Sequence, residues 1–226
     1  MVTLSYTIDF GPVFGANTQF MWGVLVTLLF SLGTVFFGTV LGFFVSMGRI
    51  SHQKVLSKLC AFYISLIRGT PLLIQLYLLA YGIPLLLGVT FNIYVTGLIA
   101  LSINSSAYVA EIFRSGIQSV DIGQIEGARS MGFSYRYTIR KVVFPQALRS
   151  IVPAIANEFV TVVKESSVVS LIGIADITRV ADLVKASTLK VFESLLYAAL
   201  LYYLITTTLT FFIRLGEKRI SRYAAR

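Results

Sequence analysis

Residues 20–47 read FMWGVLVTLLFSLGTVFFGTVLGFFVSM, and no charged side chain occurs between Asp9 and Arg49. About 20 apolar residues cross the hydrocarbon core of a bilayer as a helix, so this run predicts a membrane span with room to tilt. The rest of the chain agrees. Of 226 residues, 56% are hydrophobic and 13% charged, about half the charged share of an ordinary soluble domain, and the mean hydropathy is +0.82. That composition excludes a soluble enzyme and an intrinsically disordered chain. The net charge of +9 sits in short segments between apolar runs, as in cytoplasmic loops, and not on a polar nucleic-acid-binding domain. A single cysteine, Cys60, forbids an intrachain disulfide. A single histidine, His52, leaves no cluster for a metal or a catalytic triad, so no cofactor is expected on this chain.

A second uncharged run, 69–110, has 42 residues, enough for two helices and a turn. Turn signals lie in Tyr81-Gly82-Ile83-Pro84 and around 88–92. Span two is therefore expected at 59–81 and span three at 94–113, with the last span at 194–213. The stretch 145–174 is apolar but carries Arg149, Glu158, Lys164 and Glu165. Charges are costly in lipid, so this helix should face protein or water. Counting it as span four gives an all-α integral membrane protein with five transmembrane helices in one transmembrane domain, 1–226. The N-terminal stretch lacks the basic region and short apolar core of a signal peptide, so 1–19 reads as an extracytoplasmic segment. Fourteen lysines and arginines fall after span one, between spans three and four, and after span five, against three on the opposite side. This bias predicts an outside N-terminus and a cytoplasmic C-terminus.

The segment 119–144 is long for a membrane-protein loop. Asp121 followed by Gln124 has the spacing of a capping box, and Gly132 suits the position just past a helix end. Ser134 is placed to cap a second helix reaching Phe144, where Pro145 should stop or restart it. A short helix on the membrane surface is predicted between spans three and four, with Gly127 and Ala128 admitting close approach by another surface. On physics alone it is equally an amphipathic linker whose basic residues meet lipid headgroups.

Glu126-Gly127-Ala128, then Gly132, Val142, Phe144 and Pro145 resemble the E-A-A-x-x-x-G-x9-I-x-L-P pattern of permease subunits from binding-protein-dependent ABC importers. Gly127 stands where the pattern has Ala, at about 1 kcal/mol of helix propensity; Val142 and Phe144 replace Ile and Leu. Four further stretches look like the polar amino acid subgroup: 67–75 (IRGTPLLIQ), 103–111 (INSSAYVAE), 164–167 (KESS) and 173–179 (GIADITR). The resemblance covers roughly residues 20–215. It implies half of an importer on a prokaryotic inner membrane. A second permease, identical or merely similar, would complete the dimer, and an extracytoplasmic binding protein would deliver the amino acid. A separate ATP-binding cassette subunit would bind ATP–Mg and hold the short helix in a groove through Asp121, Gln124, Glu126, Gly127, Ala128 and Gly132. No G-x-x-x-x-G-K-[ST] phosphate loop occurs in this chain, consistent with energy supplied by a partner.

Polar groups inside spans are the candidate solute ligands. Asn104, Tyr108 and Glu111 share one face of span three, with Ser105 beside them, while Glu158, Thr161 and Glu165 share a face of span four. Glu111 also lies three residues before Arg114 and suits a structural pair. Thr70-Pro71 reads as the N-cap and first residue of a helix restarting within the membrane, a device that holds anionic groups in transporters. A zwitterionic amino acid would then set its carboxylate at Thr70 and its ammonium at Glu165, with Gln75, Asn104, Ser105, Tyr108 and Ser166 completing the site. Two other readings compete. An ion-driven secondary transporter should show internal repeats, and a membrane enzyme should show a positioned acid–base pair; neither is evident.

Overall fold

A computed structural model describes residues 6–224, with 219–224 described by backbone alone. A one-turn helix α1 (Gly11–Gly15) leads into α2 (Asn17–Ile50), which contains the whole uncharged run. Then follow α3 (Lys54–Arg68), α4 (Leu72–Tyr77), α5 (Ile83–Leu87) and α6 (Ile93–Gln118). The segment after span three forms α7 (Ile122–Ser130) and α8 (Tyr135–Thr138). The last three helices are α9 (Phe144–Glu165), α10 (Ile177–Thr188) and α11 (Val191–Ala224).

The most extensive interface joins α2 to α6, and it is made of small residues. Thr27, Ser31, Thr34, Gly38, Gly42 and Ser46 form a buried stripe on α2. A Cβ at Gly42 would lie 2.7 Å from the Ser106 carbonyl oxygen, so only glycine permits this approach. Without a hydrophobic drive between helices in lipid, such backbone proximity is what packs them. α9 crosses the far end of α6 in the same way, with Ile151 seated over Gly116. The opposite surfaces of α2 and α3 are apolar and exposed, as at Phe36, Phe44, Leu59 and Phe62.

Among the described residues three helices, α2, α6 and α11 (over Val191–Lys218), are long and apolar enough to cross a membrane. Span two, expected at 59–81, starts earlier and is interrupted where Thr70-Pro71 marked a restart. It is a broken pair, Lys54–Arg68 and Leu72–Leu87, bent by 101°. The turn expected at Tyr81-Gly82-Ile83-Pro84 is absent: the chain continues helically through Leu78–Gly82 as a π turn and reverses only after Gly88. Pro145 lies in the first turn of α9, the restart position expected for it. A second π turn, Ile139–Val143, joins α8 to α9 without interruption. Each π turn ends two residues before a proline. The wider i→i+5 spacing there relieves the clash and missing N–H that proline imposes on an α-helix.

The stretch 173–179 is a junction. Gly173, at φ +92°, ends the 3₁₀ turn Ser166–Ile172, and Asp176 caps α10 by accepting from the Arg179 N–H at 2.8 Å. Asp176 also accepts from the Tyr202 hydroxyl at 3.0 Å, tying α10 to α11. Burial pushes its carboxyl up to about 6.

Candidate functional site

Breaking a helix exposes carbonyls that need donors. At the α3–α4 break Gly69 N–H takes the Ser65 carbonyl at 2.9 Å. Thr70 donates its hydroxyl to the Leu66 carbonyl at 2.9 Å, and Gln75 donates its amide to the Ile67 carbonyl at 2.7 Å. The same Gln75 amide donates to the Thr70 hydroxyl at 2.8 Å. Its oxygen accepts from the buried Asn104 amide at 3.0 Å. Thr70 and Gln75 thus finish the α3 end, and Gln75 bolts it to α6. The restart begins one residue later than expected. Pro71 is the N-cap and Leu72 the first helical residue, with no side chain capping them.

The predicted face of α6 holds together along this break. One turn beyond Asn104, the Tyr108 ring lies beneath the Arg68 guanidinium, 5.3 Å from its centroid. One turn further, Glu111 grips Arg114 through both carboxylate oxygens, the structural pair its spacing suggested. Tyr63 of α3, which no sequence signal marks, adds a 2.6 Å hydrogen bond to Ser106.

The remaining predicted ligands are divided. Ser105 donates to Glu158 at 2.9 Å and is buried between α2 and α9. Ser166 is fully buried and donates back to the Val163 carbonyl at 2.8 Å. Among the described residues no hydrogen bond joins Thr70 to Glu165, which is half-buried. The two regions share one apolar cluster, with Leu76 and Val169 in it and Leu72 packed against it.

Beyond the end of α6, α7 is finished by contacts within its own segment. Asp121 caps it through the Gly123 N–H at 2.6 Å, while the Gln124 N–H takes the Asp121 backbone carbonyl, so the helix is capped but the reciprocal box with Gln124 does not form among the described residues. Gly132 has φ +85°. Its N–H bonds the Arg129 carbonyl and the Phe133 N–H bonds the Ala128 carbonyl, the paired closure of a Schellman end. Ala128 is buried against this chain, so it is not a free contact residue; Glu126 and Gly127 are exposed, and a Cβ at Gly127 meets nothing within 4 Å. Ile122 and Met131 remain 70% and 71% exposed at its ends.

Residues 35–222 match the family described as the binding-protein-dependent transport system inner membrane component. The chain belongs to this family. It is therefore a membrane permease component and not an enzyme; ATP hydrolysis in such systems is the work of a separate subunit. It is 36% identical to the arginine transport system permease protein ArtQ of Bacillus subtilis, over 94% of this chain and 97% of the relative. A Rickettsia conorii protein named for glutamine transport, GlnP, is 37% identical over 88% of this chain and 91% of its own. Among solved structures, an amino acid ABC transporter crystallised with histidines superposes with a TM-score of 0.91 at 41% identity, covering 95% of this chain and 100% of that one. The inward-facing MetNI methionine transporter shares the fold, with a TM-score of 0.70 at 20% identity.

Proposed function

We propose that this chain is one permease of an ATP-driven amino acid importer, working by alternating access. The observation that carries the reading is the 41% identity to an amino acid ABC transporter along that structure's full chain. No comparable observation favours uptake driven by an ion gradient. In this reading there are five spans: α2, the bent α3–α5 pair, α6, α9 and α11. α9 has 22 residues, about 33 Å of helix, and its charged residues face protein or the path. The N-terminal segment 1–19 faces outward, with residues 1–5 outside the described part, and 119–144 faces the cytoplasm of a prokaryotic cell.

The partners are a second permease, an extracytoplasmic amino acid binding protein, and an ATP-binding cassette subunit that binds ATP–Mg. α7 would seat in that subunit through Asp121, Gln124, Glu126, Gly127 and Gly132, with Ala128 anchoring it from behind. The solute would be held by Thr70, Gln75, Asn104, Ser105, Tyr108, Glu165 and Ser166. Several of these groups now satisfy one another, so solute entry would exchange such bonds for bonds to the ligand. Glu165 is the group proposed to face the ammonium. Glu165→Gln should raise the half-saturating amino acid concentration at least tenfold, about 1.4 kcal/mol; unchanged affinity and selectivity would remove Glu165 from the site. The class itself is tested by purifying the chain from native membranes in mild detergent. An ATPase subunit should come with it, and a loaded binding protein should stimulate hydrolysis. A chain recovered alone with no nucleotide-hydrolysing partner would contradict the proposal.

A further inference from the structure

A cavity of about 370 Å³ opens between α3 and the ends of α2 and α6, lined by Arg49, Ser65, Arg68, Glu111 and Arg114. Its volume lies at the small end of the roughly 300–1,000 Å³ of small-molecule sites. Three guanidinium groups face one carboxylate, and that carboxylate is held by Arg114. Among the described residues neither Arg49 nor Arg68 has a carboxylate partner. Arg49 donates to the Ser57 hydroxyl at 3.0 Å, and Arg68 rests on the Tyr108 ring. Both heads are thus held in place without an ion pair of their own among the described residues. A guanidinium fork so placed matches a carboxylate.

The cavity continues the path already described. Tyr108 follows Asn104 by one turn and Glu111 follows by another, so the cavity lies about 10 Å beyond the Gln75–Asn104 bond, toward α7. We infer that it is a second amino acid station, holding the α-carboxylate between Arg68 and Arg49, with the Glu111–Arg114 pair as its far wall, before release on the α7 side. A phospholipid headgroup fits less well. The exposed apolar stripe of α3, Val55, Leu59, Phe62 and Leu66, lies on the other side of that helix from Ser65 and Arg68, so acyl chains would run away from the cavity. This inference rests on the amino acid reading above, and its test separates the two.

The test is equilibrium dialysis of radiolabelled L-arginine and L-glutamine against the assembled transporter in nanodiscs, without binding protein, with inorganic phosphate as competitor. The expected result is two equivalents of one of these amino acids per permease chain. Arg68→Gln should remove one equivalent and Asn104→Ala the other, while Arg68→Lys, which keeps the charge but loses the fork, should bind the second equivalent more weakly than the unaltered chain and more tightly than Arg68→Gln. If Arg68→Gln assembles normally and still binds two equivalents, or if phosphate alone occupies the cavity, the second station is overturned. If Arg68→Gln abolishes amino acid binding while Asn104→Ala leaves it intact, the cavity stands and the site beside Gln75 falls.

Discussion

The segment around α7 and the joint around Gln75 are both built on interrupted helices, but they resolve the interruption in opposite ways. At α7 the ends are closed locally, by the Asp121 carboxylate at one and the Gly132 turn at the other, and most side chains other than Ala128 are left exposed. At the α3–α4 break the backbone closes only the Ser65 carbonyl, and the side chains of Thr70 and Gln75 supply the donors for Leu66 and Ile67. A helix complete in itself can be pushed as a rigid lever. A break held by side chains is a place where small helix movements exchange hydrogen bonds. That contrast is what coupling an external push to an internal path requires.

The largest effect should come from breaking the lever. Gly132→Asp places a side chain at φ +85° and a negative charge on the docking face, and uptake should fall more than tenfold while membrane insertion stays normal. Uptake assays on right-side-out vesicles, with membrane levels measured by immunoblot, check this; near-normal uptake would detach α7 from coupling. The joint should be next. Gln75→Ala strips a donor from the Ile67 carbonyl and leaves the Asn104 amide unpaired, a loss of about 1–3 kcal/mol. Thermal unfolding in detergent should show the loss, and uptake should fall severalfold. Gln75→Glu cannot donate, so it should not restore stability.

How much of this was legible follows the same division. The charge-free run fixed α2, and Gly132 and Ser134 were readable because caps are local chemistry. Thr70-Pro71 announced a break, yet the cap moved one residue and the bend of 101° is set by packing. Pro145 marked the start of α9, but Pro84 was misleading because a π turn, invisible in residue types, carries the helix past it. Ser105 and Ser166 looked like ligands; one is taken by Glu158 across the bundle and the other by its own helix. A hydroxyl's partner depends on tertiary neighbours that spacing along one helix does not reveal.

The smallest effect sharpens the contrast from the lever's side. Gly127 is helical with open space at its Cβ position, so Gly127→Ala should stabilise α7 by up to about 1 kcal/mol and leave uptake unchanged. A clear drop in uptake would mean the partner approaches closer than a methyl group allows.

The central claim is tested most directly by reconstituting the purified permease with its ATPase subunit in proteoliposomes and following radiolabelled amino acid uptake. Uptake that requires ATP on the ATPase side and a loaded binding protein on the other, and that is indifferent to sodium and proton gradients, is the predicted result. Uptake by the permease alone, driven by either gradient without ATP, would contradict it.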